Sequence, residues 1–198
     1  MNFKLVVFFV LIISLSRACS AQGWKVVAQK KGILIEKSSK TKNDTYHFRA
    51  TAKVKASLVE LEKLVENIPN YSNWLYKYEL AEVLEASGNI HVFRAKILAP
   101  FPLKNRKLQI KLIKNKTEDF VSYQMQGIQV ADEQFCIACE EVVGISGSWE
   151  LKKITDQLTE VRNTTKVIVD LPLPKSLLYP LFYRAPQKSF ENLLKMYP

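Results

Sequence analysis

Apolar and polar positions alternate along most of the chain, which predicts a largely antiparallel β protein. The alternation is clear in residues 45–54 and continues, with breaks, from Glu79 to Asp170. The alternating pattern is interrupted at short intervals by residues typical of turns, namely Gly, Asn, Ser and Asp. The last of these turns predicts a closing hairpin. The predicted turns lie at residues 86–89, 115–118 and 155–157.

One helix is predicted early in the chain. Ser57 suits an N-cap, and Glu60 three residues later completes a capping box. Leucine, valine and isoleucine then recur on one helical face as far as Ile68, with charged residues on the other face. Pro69 ends the predicted helix.

A second helix is predicted at the end of the chain. Pro174 suits a first turn, and apolar residues at helical spacing continue to Tyr197. Because Pro180 and Pro186 interrupt this pattern, we expect a kinked or two-part helix. Together with the strands, the two helices predict one α+β domain without repeats or linkers.

The N-terminus has the layout of a secretory signal peptide. Lys4 is followed by an apolar stretch from Leu5 to Leu15, and small residues lead up to Ala21. The stretch is too short for a membrane span, so we expect cleavage near Ala21 and a mature domain of residues 22–198. An uncleaved anchor is an alternative. Lipidation at Cys19 is disfavoured, since Ser16 occupies the position that would need leucine.

The chain is basic, with a formal net charge of +10 that falls to +8 once residues 1–21 are removed. The basic residues are scattered, and no nucleic-acid-binding motif is present, so we expect no nucleic-acid partner. A lysine-rich soluble surface is one interpretation, and transient contact with anionic lipid is another. We expect a monomer.

Two cysteines remain in the mature chain, Cys136 and Cys139, in the sequence Cys-Ile-Ala-Cys. In an oxidising compartment they favour a local disulfide that stiffens its loop, although free thiols, a redox role and a metal role stay open. Neighbouring Glu140 and Glu141 would raise the thiol pKa rather than activate it, and no second Cys or His pair completes a zinc site. Glycosylation triplets begin at Asn43, Asn70, Asn115 and Asn163.

The connection Pro100-Phe101-Pro102-Leu103-Lys104-Asn105-Arg106 carries a resemblance. By itself it predicts a rigid turn between strands, because two prolines fix the backbone and remove donors. It is also similar to the Pro-aromatic-Pro-x-x-Asn-Arg stretch of START domains, the StAR-related lipid-transfer family. Three further stretches resemble the family, so that the likeness covers nearly all of the mature chain: residues 32–36, 147–161 and 170–177.

The resemblance implies the START-like helix-grip fold, a curved antiparallel sheet around a long C-terminal helix that encloses an apolar cavity. On this analogy residues 127–144 form a lid loop and residues 174–197 a gating helix. The chain departs from the family at Lys107, where an Asp is usual. The implied ligand-binding residues are Arg106, Arg94, Phe93, Ile97, Leu108, Ile110, Tyr123, Trp149, Leu178 and Phe182, with Leu112 as a further inward residue.

Binding is favoured over catalysis. No hydrolase, Rossmann, P-loop or zinc-protease motif occurs, and we expect no cofactor and no metal. The predicted function is the binding of a lipid, sterol or similar hydrophobic molecule, with transfer between membranes as the consequence. The alternative is a polyketide cyclase/aromatase-like enzyme, in which Arg106, His91 or Tyr123 would act. An exported redox protein using the two cysteines is a third, less favoured class.

Overall fold

The computed structural model describes residues 23–39, 45–101, 103–168 and 175–198. The predicted signal peptide, the lipidation candidate Cys19 and the triplet at Asn43 lie outside these ranges. Ten strands are present in the described part: β1 (Trp24–Lys30), β2 (Ile33–Ser38), β3 (Thr45–Val54), β4 (Tyr78–Ser87), β5 (Ile90–Ile97), β6 (Arg106–Lys116), β7 (Phe120–Ile128), β8 (Glu140–Glu141), β9 (Ile145–Thr155) and β10 (Leu158–Ile168).

The strands form one sheet in the order β1-β2-β3-β10-β9-β7-β6-β5-β4, and every pair along this path is antiparallel. The short strand β8 lies off the path and pairs in parallel with the start of β6. The closing hairpin predicted around residues 155–157 is confirmed by β9 and β10. The sheet and its helices give the predicted α+β helix-grip architecture.

Alternation along the strands sends one set of side chains to the inner face of the sheet. Leu108, Ile110 and Leu112 of β6 are buried, and Phe93 of β5 lies opposite Ile110. The intervening positions of β6 point outward, because side chains on a strand have a period of two. Trp149 of β9 continues the inner face toward β10. This face carries the main hydrophobic core.

Helix α1 (Leu58–Glu66) begins as predicted. Ser57 accepts a hydrogen bond from the Glu60 backbone N–H, and the Glu60 carboxylate accepts one from the Ser57 backbone N–H, so the capping box is formed. The apolar face of α1 packs against β7 and β9. A 3₁₀ turn at Ile68–Asn70 follows, with Pro69 in its first turn, and leads into the short helix α2 (Tyr71–Trp74).

The C-terminal helix α3 (Lys175–Met196) runs through both prolines without a break. The structure therefore does not divide it into the two parts that the sequence led us to consider. Packing on both sides of the prolines accounts for this, because Leu178 is buried before Pro186 and Phe190 is buried after it. No helix in the described part of the chain is long and apolar enough to cross a membrane.

The segment between β7 and β9 is mostly irregular, as predicted. It contains a 3₁₀ turn at Glu133–Cys136 and the two-residue strand β8, which the sequence did not indicate. Cys136 and Cys139 form a disulfide across three positions, so the local bridge is present. The Glu141 carboxylate accepts a hydrogen bond from the Val130 backbone N–H, 2.6 Å away, and closes the segment on itself.

Candidate functional site

A cavity of about 300 Å³ lies between the inner face of the sheet and helix α3. Strands β3, β5, β6, β7, β9 and β10 supply one wall, and Leu178, Phe182 and Pro186 of α3 supply the opposite wall. Most of the lining is aliphatic or aromatic. The arrangement is that of a small-molecule site, in which an apolar pocket holds a few placed polar groups.

Most of the predicted binding residues line this cavity. They share the inner face of the sheet or the sheet-facing side of α3, and they are Arg106, Phe93, Ile97, Leu108, Ile110, Trp149, Leu178 and Phe182, together with Leu112. The structure thus brings these side chains together around one space. Whether they contact a ligand stays a prediction.

Two predicted residues lie elsewhere. Arg94 follows Phe93 on β5 and therefore points to the outer face, where it bonds Glu82 and Asp132, each at 2.7 Å. Tyr123 does face inward, but it is fully buried, and its hydroxyl donates to the Glu66 carboxylate of α1 at 3.0 Å. Neither side chain is part of the cavity lining.

The cavity is also bordered by the β5–β6 connection, which the sequence identified, and by the segment around β8. Pro100, Leu103 and Val142 line it. Asn105 joins the two segments, since its side-chain oxygen accepts from the Ala99 N–H at 3.1 Å and its carbonyl accepts from the Glu140 N–H at 2.9 Å. Asn105 of the Asn-Arg pair therefore holds the two segments together through two hydrogen bonds.

Among the described residues, Arg106 is the one cationic side chain in the lining, and Glu140 forms an ion pair with it. Burial lowers the pKa of the Arg106 guanidinium, yet an arginine remains a cation at neutral pH. The residue after Arg106 in β6 is Lys107, and the acid that pairs with Arg106 comes from β8. The charge at this end of the cavity is therefore balanced within the protein.

Asn163 and Thr165 are cavity residues that the sequence interpretation missed. Both belong to β10 and face inward among Val161 and Val167. The sequence contains an indication of these residues, because polar residues at two consecutive inward positions of an otherwise apolar strand face are unusual. Asn163 also begins one of the glycosylation triplets, but it is buried in the folded chain and is inaccessible to a glycan there.

Two tyrosines of the cavity lining, Tyr71 and Tyr78, have raised pKa values. Burial raises the pKa of Tyr78 to about 12, and burial also raises that of Tyr71, whose hydroxyl donates to the Val65 carbonyl. His91, a candidate in the enzyme alternative, is not among the lining residues. The described residues contain no group of three His, Cys, Asp or Glu side chains suited to a metal ion.

Comparison with known proteins shows mainly a shared fold. No family model matches the chain. An uncharacterised protein of Pseudomonas aeruginosa is 22% identical over 176 residues, which is 87% of this chain and 86% of that protein. A STAR-related lipid transfer protein from Xanthomonas axonopodis superposes with a TM-score of 0.77 at 16% identity, over 88% of this chain and 98% of that chain.

Two further structures place the fold among START-like proteins. Human StAR-related lipid transfer protein 5 gives a TM-score of 0.76 at 14% identity, over 98% of this chain and 93% of that chain. The Zhui aromatase/cyclase from Streptomyces gives a TM-score of 0.56 at 13% identity, over 76% of this chain and 90% of that chain. The chain therefore has the START-like helix-grip fold predicted from the sequence. Identities this low establish the fold alone.

Proposed function

We propose that this protein binds one hydrophobic small molecule, such as a lipid, in the cavity between the sheet and helix α3. The observation that carries the proposal is the cavity itself: about 300 Å³, lined mainly by aliphatic and aromatic side chains, inside an otherwise packed core. Removing an apolar molecule from water into such a space is favourable by roughly 25 cal/mol per Å² of buried apolar surface. The lipid-transfer neighbours support the same function.

The lid in this proposal consists of the segment around β8 and the first half of α3. Val142 and Leu178 reach the cavity from these two elements. Glu140 holds the segment around β8 against β6 in two ways. Its carboxylate pairs with Arg106, and its backbone N–H donates to the Asn105 carbonyl. The disulfide between Cys136 and Cys139 lies immediately before Glu140 and limits the conformations of this segment.

We also propose that the protein is exported after cleavage near Ala21, acts as a monomer, and exchanges its ligand at membranes. The layout of residues 1–21 supports export. Two exposed apolar side chains support membrane contact, since Phe101, next to the lining residue Pro100, is 97% exposed and Ile137 is 77% exposed. Exposed lysines would add attraction to anionic headgroups.

A matched pair of variants tests the binding proposal. Val142 lines the cavity, whereas its neighbour Val143 is exposed to solvent. The purified protein is incubated with vesicles made from the lipid extract of its host, separated from them, and examined by native mass spectrometry. The wild type and V143W should carry one added molecule, and V142W should carry none because the indole occupies most of the cavity.

Equal loading of V142W and V143W would contradict the proposed site. A folded wild-type protein that takes up nothing from the vesicles would contradict the binding function itself. Circular dichroism and thermal denaturation of the two variants show whether each is folded before the comparison is made.

A cyclase/aromatase-like enzyme is a second candidate, supported by the likeness to the Zhui aromatase/cyclase. Of the three residues named for this alternative, Arg106 lines the cavity, and Tyr123 and His91 do not. Replacing Arg106 by Met would abolish turnover of a polyketide-like substrate if this candidate holds. A binding protein would instead show no turnover with either form.

A further inference from the structure

Two polar residues of the cavity lining, Asn163 and Thr165, form a hydrogen-bonded pair. The Asn163 side-chain NH₂ donates to the Ser148 carbonyl at 3.2 Å, and the Thr165 hydroxyl donates to the Asn163 side-chain oxygen at 3.0 Å. The Ser148 carbonyl accepts only, so the orientation of the Asn163 amide is fixed by its partners. The direction of both bonds is therefore determined.

The direction of these two hydrogen bonds determines which donor and acceptor groups of Asn163 and Thr165 remain for a ligand. Asn163 has a second N–H that neither bond uses, and the Thr165 oxygen has lone pairs that neither bond uses. The pair thus presents one donor and one acceptor on neighbouring inward positions. A hydroxyl group satisfies both at once, because it accepts and donates. A carboxylate cannot donate, and a hydrocarbon can do neither.

The environment of the pair excludes a charged ligand group. Trp149 lies opposite Asn163 in the sheet, and Phe48 lies opposite Thr165. Arg106, a cation of the lining, lies on β6, three strands away in the sheet, and Glu140 forms an ion pair with it. A charge placed beside Asn163 would be buried without a partner, which is strongly unfavourable.

The size of the cavity limits the rest of the molecule. A cavity of about 150 Å³ holds one benzene, so a cavity of 300 Å³ holds a molecule on the order of twelve non-hydrogen atoms. A two-chain phospholipid is several times larger. The space is also at the lower end of the range found for small-molecule sites, about 300–1,000 Å³.

We propose that the ligand is an uncharged alcohol or phenol of about this size, whose hydroxyl group hydrogen-bonds with Asn163 and Thr165 in the cavity wall. This inference rests on the proposed binding function and names the chemistry of the ligand. Thr165 then discriminates an alcohol from the matching hydrocarbon, while the aromatic side chains beside it hold the apolar body.

Three matched probes test the inference: naphthol, naphthalene and naphthoate, titrated calorimetrically into the purified protein at neutral pH. They have the same ring system and differ in a hydroxyl, a hydrogen and a carboxylate. The wild type should bind one naphthol about tenfold more tightly than naphthalene, the factor expected for one or two neutral hydrogen bonds. Naphthoate should bind more weakly than both.

Variants of β10 test whether Thr165 is responsible for the preference for naphthol over naphthalene. T165V should bring naphthol to within about twofold of naphthalene, because it removes the hydroxyl and keeps the shape. T165S keeps the hydroxyl and should keep the preference. T164V is the matched control, since Thr164 is the next residue along β10 and faces the opposite side of the sheet.

The outcomes separate this inference from the proposed function. Binding of naphthalene as tightly as naphthol, tightest binding of naphthoate, or an unchanged preference in T165V would overturn the inference and leave the cavity a binding site. A bound two-chain phospholipid at one molecule per protein would also overturn it. Failure to bind any of the three probes, together with no uptake from vesicles, would contradict both.

Discussion

Replacing Phe182 with Ala should open the first half of helix α3 and leave its second half closed. The first half is held by a small cluster in which Phe182 stacks on Tyr46 at 4.2 Å and Leu178 is buried. The second half is anchored in the main core by Phe190. Pro186 lies between the two and has no N–H to bond the Phe182 carbonyl, so a backbone hydrogen bond is missing where the two halves meet.

The magnitude follows from the contacts that the substitution removes. An aromatic pair contributes about 0.5–1.5 kcal/mol beyond its buried area. Phe182 is partly exposed, so loss of its burial adds less than the roughly 1.5–3 kcal/mol of a fully buried side chain. A total of about 2–3 kcal/mol for opening the first half corresponds to about a 30- to 150-fold increase in the open population.

Amide hydrogen exchange with mass spectrometry measures this directly. In F182A, peptides from residues 175–184 should exchange about 30- to 150-fold faster than in the wild type, in the regime where exchange reports the open population. Peptides from residues 187–196 should change little. Release of a bound ligand should accelerate as well, because this half of α3 forms a wall of the cavity.

F190L is the comparison variant, because Phe190 lies in the main core and stacks on Trp149. It should lower the global melting temperature and affect both halves of α3 together. Uniform acceleration across residues 175–196 in F182A would refute the reasoning, since it would show that α3 opens as one unit and is not divided at Pro186.

Three further predictions concern other parts of the structure. Burial raises the pKa of Glu62, but hydrogen bonds from two lysines of β6 outweigh it and hold the pKa below its ordinary value. Glu62 therefore stabilises the fold above its unfolded pKa and loses this effect as the pH falls, so E62Q should cost about 1–3 kcal/mol at pH 7 in urea denaturation and less at pH 3. G147A should destabilise by about 1–3 kcal/mol or prevent folding, because the new Cβ would lie 1.9 Å from the Thr164 carbonyl oxygen; an unchanged melting temperature would contradict the packing described here. F101S should weaken binding to vesicles of anionic phospholipid at least about tenfold, whereas V26S, at an exposed site on the edge strand β1, should bind like the wild type.

The sequence was most informative where a local rule determines the structure. The capping box at Ser57 fixed the start of α1, and alternation in β5 and β6 placed Phe93 and Leu108 on the inner face. The same alternation excludes Arg94 from the cavity, because neighbouring residues of a strand face opposite sides. The prediction for Arg94 was thus correctable from the sequence itself.

Other features depend on tertiary contacts that no local pattern contains. Tyr123 has the inward orientation expected of it, but helix α1 covers it and Glu66 accepts its hydroxyl. Glu140 becomes the partner of Arg106 from a segment without periodicity, 34 positions along the chain. The continuity of α3 through its prolines likewise depends on packing against the sheet, which outweighs local propensity.

Native mass spectrometry of the mature protein, purified from its host without added lipid, tests the central claim most directly. Extraction and identification of the bound molecule follow from the same sample. The account predicts one hydrophobic molecule per protein, released on denaturation and absent from V142W. A folded protein that carries no molecule and takes up none from host lipid vesicles would contradict the account.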